Sequence, residues 1–180
     1  ALDANTTAIN NTALGQSSLG SNTTGSNNLA LGRYALQANT SGTTNLAAGN
    51  NALYTNSTGA NNVALGHNAL NLNTTASGNT AVGYSAMEDN TTGSENTAMG
   101  SYALNDNSSG AGNVAIGREA LANNQTASDN VAVGKLAMYT NTTGSQNTAV
   151  GTQALRLNTT AGENVAVGYY ALKANTTGIQ

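Results

Sequence analysis

Apolar and polar positions alternate along this chain in a pattern that never slips. The phrase N-x-A-x-G begins at Asn11 and returns every seventeen residues, ten times in all. Its second position holds Thr, Val or Leu, its third is Ala in every copy, and its fourth is Val, Leu, Ile or Met except at Ala48. A period of two is the mark of a strand, here with the larger side chains on one face and a methyl on the other. Gly ends the strand. Two unconstrained positions follow, such as Tyr84-Ser85, Arg118-Glu119 and Lys135-Leu136, and their freedom predicts a solvent-facing turn. The pairs Ala120-Leu121 and Ala137-Met138 show what comes next, an apolar return to the core. The N-T-T-G segment then closes the unit, its Asn and Gly suited to backbone with positive φ. A single helical turn over x-x-A-L-x-x-N is the rival reading of the middle of the repeat.

Self-similarity at a fixed period marks stacked repeats, in which each unit buries its apolar side against its neighbours. Seventeen residues are too few for a helix pair, and Gly and Thr recur too often for helix interiors. The pattern therefore predicts an all-β fold, a parallel β-solenoid of 17-residue coils. Residues 1–180 form a single array, with 1–10 a partial repeat and 11–180 ten full ones. Coils stacked about 4.8 Å apart would make a rod of roughly 50 Å. Equivalent residues then become columns along the rod. Asn11, Asn28, Asn45, Asn62, Asn79, Asn96, Asn113, Asn130, Asn147 and Asn164 form one predicted structural ladder, amide above amide as in cross-β stacks. A second Asn stands eleven residues after each of these, with Asn5 as an extra copy. Because the larger strand residues lie opposite Ala, each coil carries apolar groups on both faces. A thin solenoid covers only one of them, which predicts self-association through the other.

Composition removes several function classes. Charged residues are 7% of the chain, and Pro, Cys, Trp and Phe are absent. Without cysteine there is no disulfide framework and no thiolate metal site. A net charge of −3, with five scattered basic residues, gives no footprint for nucleic acid. No apolar run approaches the roughly 18 residues of a membrane span, and no signal peptide is visible. Low charge with abundant Asn, Gly, Ser and Thr can signal disorder, but disordered linkers do not keep Ala, Gly and Leu at fixed phases. Ala1-Leu2 opens in the middle of a repeat and N-T-T-G-I-Q closes the last one, with no atypical capping unit at either end. This predicts an internal piece of a longer array, or a unit that stacks end to end into a filament.

The phrases Asn113-Val-Ala-Ile-Gly117 and Asn164-Val-Ala-Val-Gly168 resemble the S-V-A-I-G phrase in the head repeats of trimeric autotransporter adhesins. Similar N-T-A-V-G-Y-x-A-L arrays occur in long fibre proteins of bacteria and their phages. The resemblance implies a parallel β-roll, three chains about a common axis, and display at a cell surface or on a virion fibre for attachment. The adhesin repeat is shorter, since this chain adds the N-T-T-G segment, and no binding residue carries over.

Candidate chemistry is sparse, and no enzyme activity, cofactor or metal is expected. His67, the single histidine, lies in a variable turn position and is read as a solvated surface residue. Asp89 and Asp106 share a phase one coil apart, beside Glu88, and form either a solvated acidic patch or a bridge for a cation. The seven tyrosines fall on three phases: Tyr34, Tyr102 and Tyr170; Tyr84 and Tyr169; Tyr54 and Tyr139. These do not make a continuous stripe and are read as surface aromatics. The second Asn column, Asn22, Asn39, Asn56, Asn73, Asn90, Asn107, Asn124, Asn141, Asn158 and Asn175, is at every copy an N-x-[ST] glycosylation sequon. Coils so closely spaced would crowd a glycan on each, and an inward Asn could not carry one. A Thr rank could also order water for ice binding. Adjacent Thr point opposite ways, so at most one rank faces solvent, and Ser57, Ser108 and Gln125 interrupt the first. The expected role is an extracellular or cell-surface fibre segment, adhesive or filament-building. Its expected partners are itself, as a homo-oligomer or trimer, and a surface receptor or glycan; the alternatives are an ice-binding solenoid and a heavily glycosylated fibre.

Overall fold

The computed structural model describes residues 1–176 and residue 178; Thr177, Ile179 and Gln180, at the close of the tenth repeat, lie outside the described residues. Ten strands of three residues, β1 (Thr12–Leu14) to β10 (Val165–Val167), fall on the N-x-A-x-G phrases. They form one parallel sheet in chain order. The register advances by one repeat at each step, Thr12 pairing with Leu29, Ala13 with Ala30 and Leu14 with Leu31. This is the all-β parallel β-solenoid that the period requires, and no described residue is helical.

Between strands the chain folds through overlapping tight turns. In the second coil Ala35 N–H donates to Gly32 O at 3.3 Å, Gln37 N–H to Tyr34 O at 3.2 Å, and Asn39 N–H to Leu36 O at 3.2 Å. Tyr34 and Leu36, third residues of the first two turns, have φ of 62° and 52°. Type II turns demand positive φ at that place. The expectation that Asn and Gly of N-T-T-G would carry positive φ is corrected here. Besides the strand-ending Gly, left-handed backbone falls on the residue before the strand-phrase Asn (Asn27, Thr44, Glu95), the second turn residue (Tyr34, Glu119) and the buried Leu or Met (Leu36, Met87). A left-handed non-glycine residue costs about 1–2 kcal/mol. At the Leu position burial offsets it, because the side chain is fully enclosed from Leu19 to Leu155 and full burial contributes about 1.5–3 kcal/mol.

The N-T-T-G glycine has a different reason to be glycine. A Cβ on Gly93 would stand 2.3 Å from Gly110 O and 2.6 Å from Asn107 Nδ2, in the next coil. The partial first repeat and three full coils place Ala8, Ala76, Ala127 and Ala161 at this position, and two of the four lack a backbone bond there. Elsewhere two consecutive N–H groups share one carbonyl of the next coil, as Ser57 and Thr58 do on Thr74 O at 2.8 and 3.3 Å. In the Ala76 coil Thr74 N–H reaches Thr91 O at 3.1 Å but Thr75 N–H makes no such bond, and Thr159 and Thr160 repeat this in the Ala161 coil. In the Ala127 coil both bonds survive, at 3.2 and 3.4 Å.

The cross-section is thin. One coil's interior holds Ala115, Ala120 and Leu121 together with Asn113 and Asn124, all fully buried. The remaining strand residues face outward and stay partly open, as Val114 and Ile116 do on either side of buried Ala115.

Candidate functional site

The interior asparagines form two hydrogen-bonded columns. In the first, Asn28 N–H donates to Asn11 Oδ1 at 2.9 Å and Asn11 Nδ2 donates to Gly25 O at 2.8 Å. The backbone donation repeats at each step as far as Asn164 on Asn147, at 2.9–3.0 Å. In the second column Asn39 Nδ2 donates to Asn22 Oδ1 at 2.8 Å and to Gly42 O at 3.0 Å. That amide-to-amide bond continues to Asn158 on Asn141, at 2.7–3.2 Å. The columns meet at one carbonyl: Gly110 O accepts from Asn96 Nδ2 and from Asn107 Nδ2, each at 2.9 Å. Polar groups enclosed in a core this thin are tolerable because nearly all are paired, Asn158 Oδ1 at the last enclosed step being the exception in the columns. The column asparagines are structural.

The sequon nitrogens lie inside these columns. From Asn22 to Asn158 the side chains are fully buried, and Nδ2 of Asn90, for one, donates both to Asn73 Oδ1 and to Gly93 O. Asn175 is half-buried, its Nδ2 donating to Gly178 O at 2.8 Å. The two hydroxyl ranks behave differently. The first is tied down, Thr23 Oγ1 donating to Thr40 O at 3.0 Å and Thr74 Oγ1 to Thr91 O at 3.0 Å. The second faces solvent, as Thr58, Thr75 and Thr92 do. Ser41 and Ser109 are its departures from Thr in the internal coils.

Three surface features remain. The outer strand face exposes apolar side chains, with Leu31, Met99, Ile116 and Val150 between 36% and 44% exposed. The aromatics are joined rather than scattered. His67 stacks on Tyr84 with centroids 5.4 Å apart, Tyr84 meets Tyr102 edge-on at 5.3 Å, and Tyr34 meets Tyr54 at 6.1 Å. Tyr84 and Tyr102 are eighteen residues apart and Tyr34 and Tyr54 twenty, so these contacts join unequal phases of neighbouring coils, which comparison at equal phase hides. Third, Asp89 and Asp106 both have carboxyls raised above the ordinary value, Asp89 by burial and then by Glu88, Asp106 by burial and then by Asp89. Among the described residues no group of three or more His, Asp or Glu comes together as a metal site. Beside Asp106 an open cleft of about 270 Å³ lies between coils, with Tyr102 and Tyr139 on its rim. No protein-family profile, curated protein or solved structure matches the chain.

Proposed function

We propose that this chain is a structural segment of an extracellular or cell-surface fibre, adhesive or filament-building, that associates with copies of itself through its outer strand face, as a trimer. One observation carries the reading: ten in-register strands present two ranks of Thr, Val, Leu, Met and Ile to solvent with nothing of the same chain over them. At about 4.8 Å per coil the face runs for nearly 50 Å. Continuous apolar patches of this kind mark interaction surfaces. Sedimentation velocity on the purified chain makes the test, and a trimer mass is expected. Replacing outward Met99 and Ile116 with Glu should dissociate the assembly while circular dichroism stays β. A folded monomer at high concentration overturns the proposal.

The exposed Thr rank favours one alternative, an ice-binding surface. Thermal hysteresis and ice-crystal shaping, measured on the same sample, would favour that reading over self-association.

A further inference from the structure

We propose that the cleft beside Asp106 is a binding site for a neutral saccharide unit. Column geometry shows how it arises. The position after the buried Leu or Met carries Gln37, Tyr54, Asn71, Glu88 and Asn105 in successive coils, then Ala122, then Tyr139. Ala122 is thus a gap in a rank of large side chains, and it forms the buried floor of a cleft of about 270 Å³. Asn105 closes the cleft on one side along the axis and Tyr139 on the other. Tyr102 and Glu119 flank it on one edge, Asp106 and Asn123 on the opposite edge.

The lining suits a sugar ring on two counts. Tyrosine offers an apolar ring face together with a polar hydroxyl, and a pyranose has both an apolar C–H face and a rim of hydroxyls. Tyr102 and Tyr139 stand two coils apart, roughly 9.6 Å along the axis. Amides donate and accept, and carboxylates accept strongly from hydroxyls. The Asp106 and Asn123 side chains make no hydrogen bond among the described residues, so both are available, and Asn105 is anchored by Nδ2 donating to Ser85 O at 2.8 Å. The cleft also continues into an aromatic run, since Tyr102 touches Tyr84, which stacks on His67. A chain of several sugar units can therefore extend from the cleft along the rod. The charge around it selects against acidic sugars. The lining carboxylates are Asp106 and Glu119, the lining holds no cation, and Arg118 beside it is paired with Glu119 at 2.6 Å. This inference does not rest on the fibre reading, because a monomeric coil would carry the same cleft.

The test uses cellotriose, chitotriose and maltotriose as neutral probes and trigalacturonic acid as the acidic one. Tyrosine fluorescence reports directly, because the chain has no Trp, and amide chemical shifts of Ala122 and Asn123 locate the site. At least one neutral trisaccharide should bind with a dissociation constant of about 1 mM or below. Ala122→Gln fills the gap with a residue the second coil already carries as Gln37, so melting should be unchanged while binding weakens at least about tenfold. Should Ala122→Gln disturb the melt, Tyr139→Ala at the partly open rim makes the same test. Failure of every neutral probe to bind, unchanged affinity in the folded variant, or tighter binding of trigalacturonic acid would each overturn the proposal.

Discussion

Asn107 donates from Nδ2 to Oδ1 of Asn90 in the preceding coil at 2.7 Å, with both side chains fully enclosed. The same nitrogen donates to Gly110 O, and Asn107 Oδ1 accepts from Asn124. One amide therefore joins three coils, and only an amide can, because the position needs two donors and an acceptor.

Asn107→Asp should for that reason be among the most damaging isosteric changes in the chain. It removes both donors and sets a carboxylate against the oxygens of Asn90 and Gly110. Each buried group left unpaired costs about 1–3 kcal/mol, more when charged. A loss above about 3 kcal/mol at neutral pH is expected in chemical denaturation, partly recovered in acid. Asn113→Leu should cost a similar amount by stranding Asn130 N–H. A variant that melts like the parent would refute the role of the columns.

Two glycines of consecutive coils should respond differently to alanine. Gly93→Ala introduces a methyl that four other units already hold, at the loss of at most one backbone bond, and about 1 kcal/mol is expected. Gly100 has φ 134° and a Cβ there would lie 2.7 Å from the Gly117 backbone. No coil carries another residue at that place. Gly100→Ala should cost several times more, as thermal melts of the pair would show.

Thr44 is a β-branched residue with φ 58°, exposed, at a position where other coils carry Asn, Asp, Gly, Glu or Gln. Left-handed backbone is especially unfavourable for branched side chains. Thr44→Gly should stabilise the chain by about 1 kcal/mol, and a lower denaturation midpoint would contradict the assigned backbone.

Acid should strengthen the fold over a defined range. Asp89 and Asp106 have carboxyls raised by burial and by neighbouring negative charge. A carboxyl raised on folding holds its proton more tightly in the folded chain. Its penalty is fully present above the folded pKa and disappears as pH falls to the unfolded value near 3.8. Melting temperature should therefore rise from neutral pH down to about pH 4. Asp106→Asn, which places there the residue that Asn123 supplies one coil on, should raise stability at neutral pH and flatten the profile.

Much of this fold was legible because repetition multiplies every local signal tenfold. The strand phrase, the inward Ala, the buried Leu and both Asn columns follow from phase alone. What phase could not show is the backbone sign at each turn. Leu36 and Met87 sit at positive φ because their enclosed side chains offset the cost, a tertiary effect that no propensity contains. The reason for Gly93 was likewise hidden, since it lies in how close the next coil comes. The Tyr84–Tyr102 contact escaped notice because it joins unequal phases of neighbouring coils.

The backbone bonds of this solenoid link each coil to the next, so a chain held at its two ends is loaded along the direction in which its coils stack. Under tension the coils would peel away one after another instead of failing together. Each released coil frees seventeen residues, which lengthen from one stacking step to an extended strand, a gain of roughly 50 Å. A rod built this way yields in equal increments and re-forms each one when the load drops, much as a tape spring pays out and rewinds.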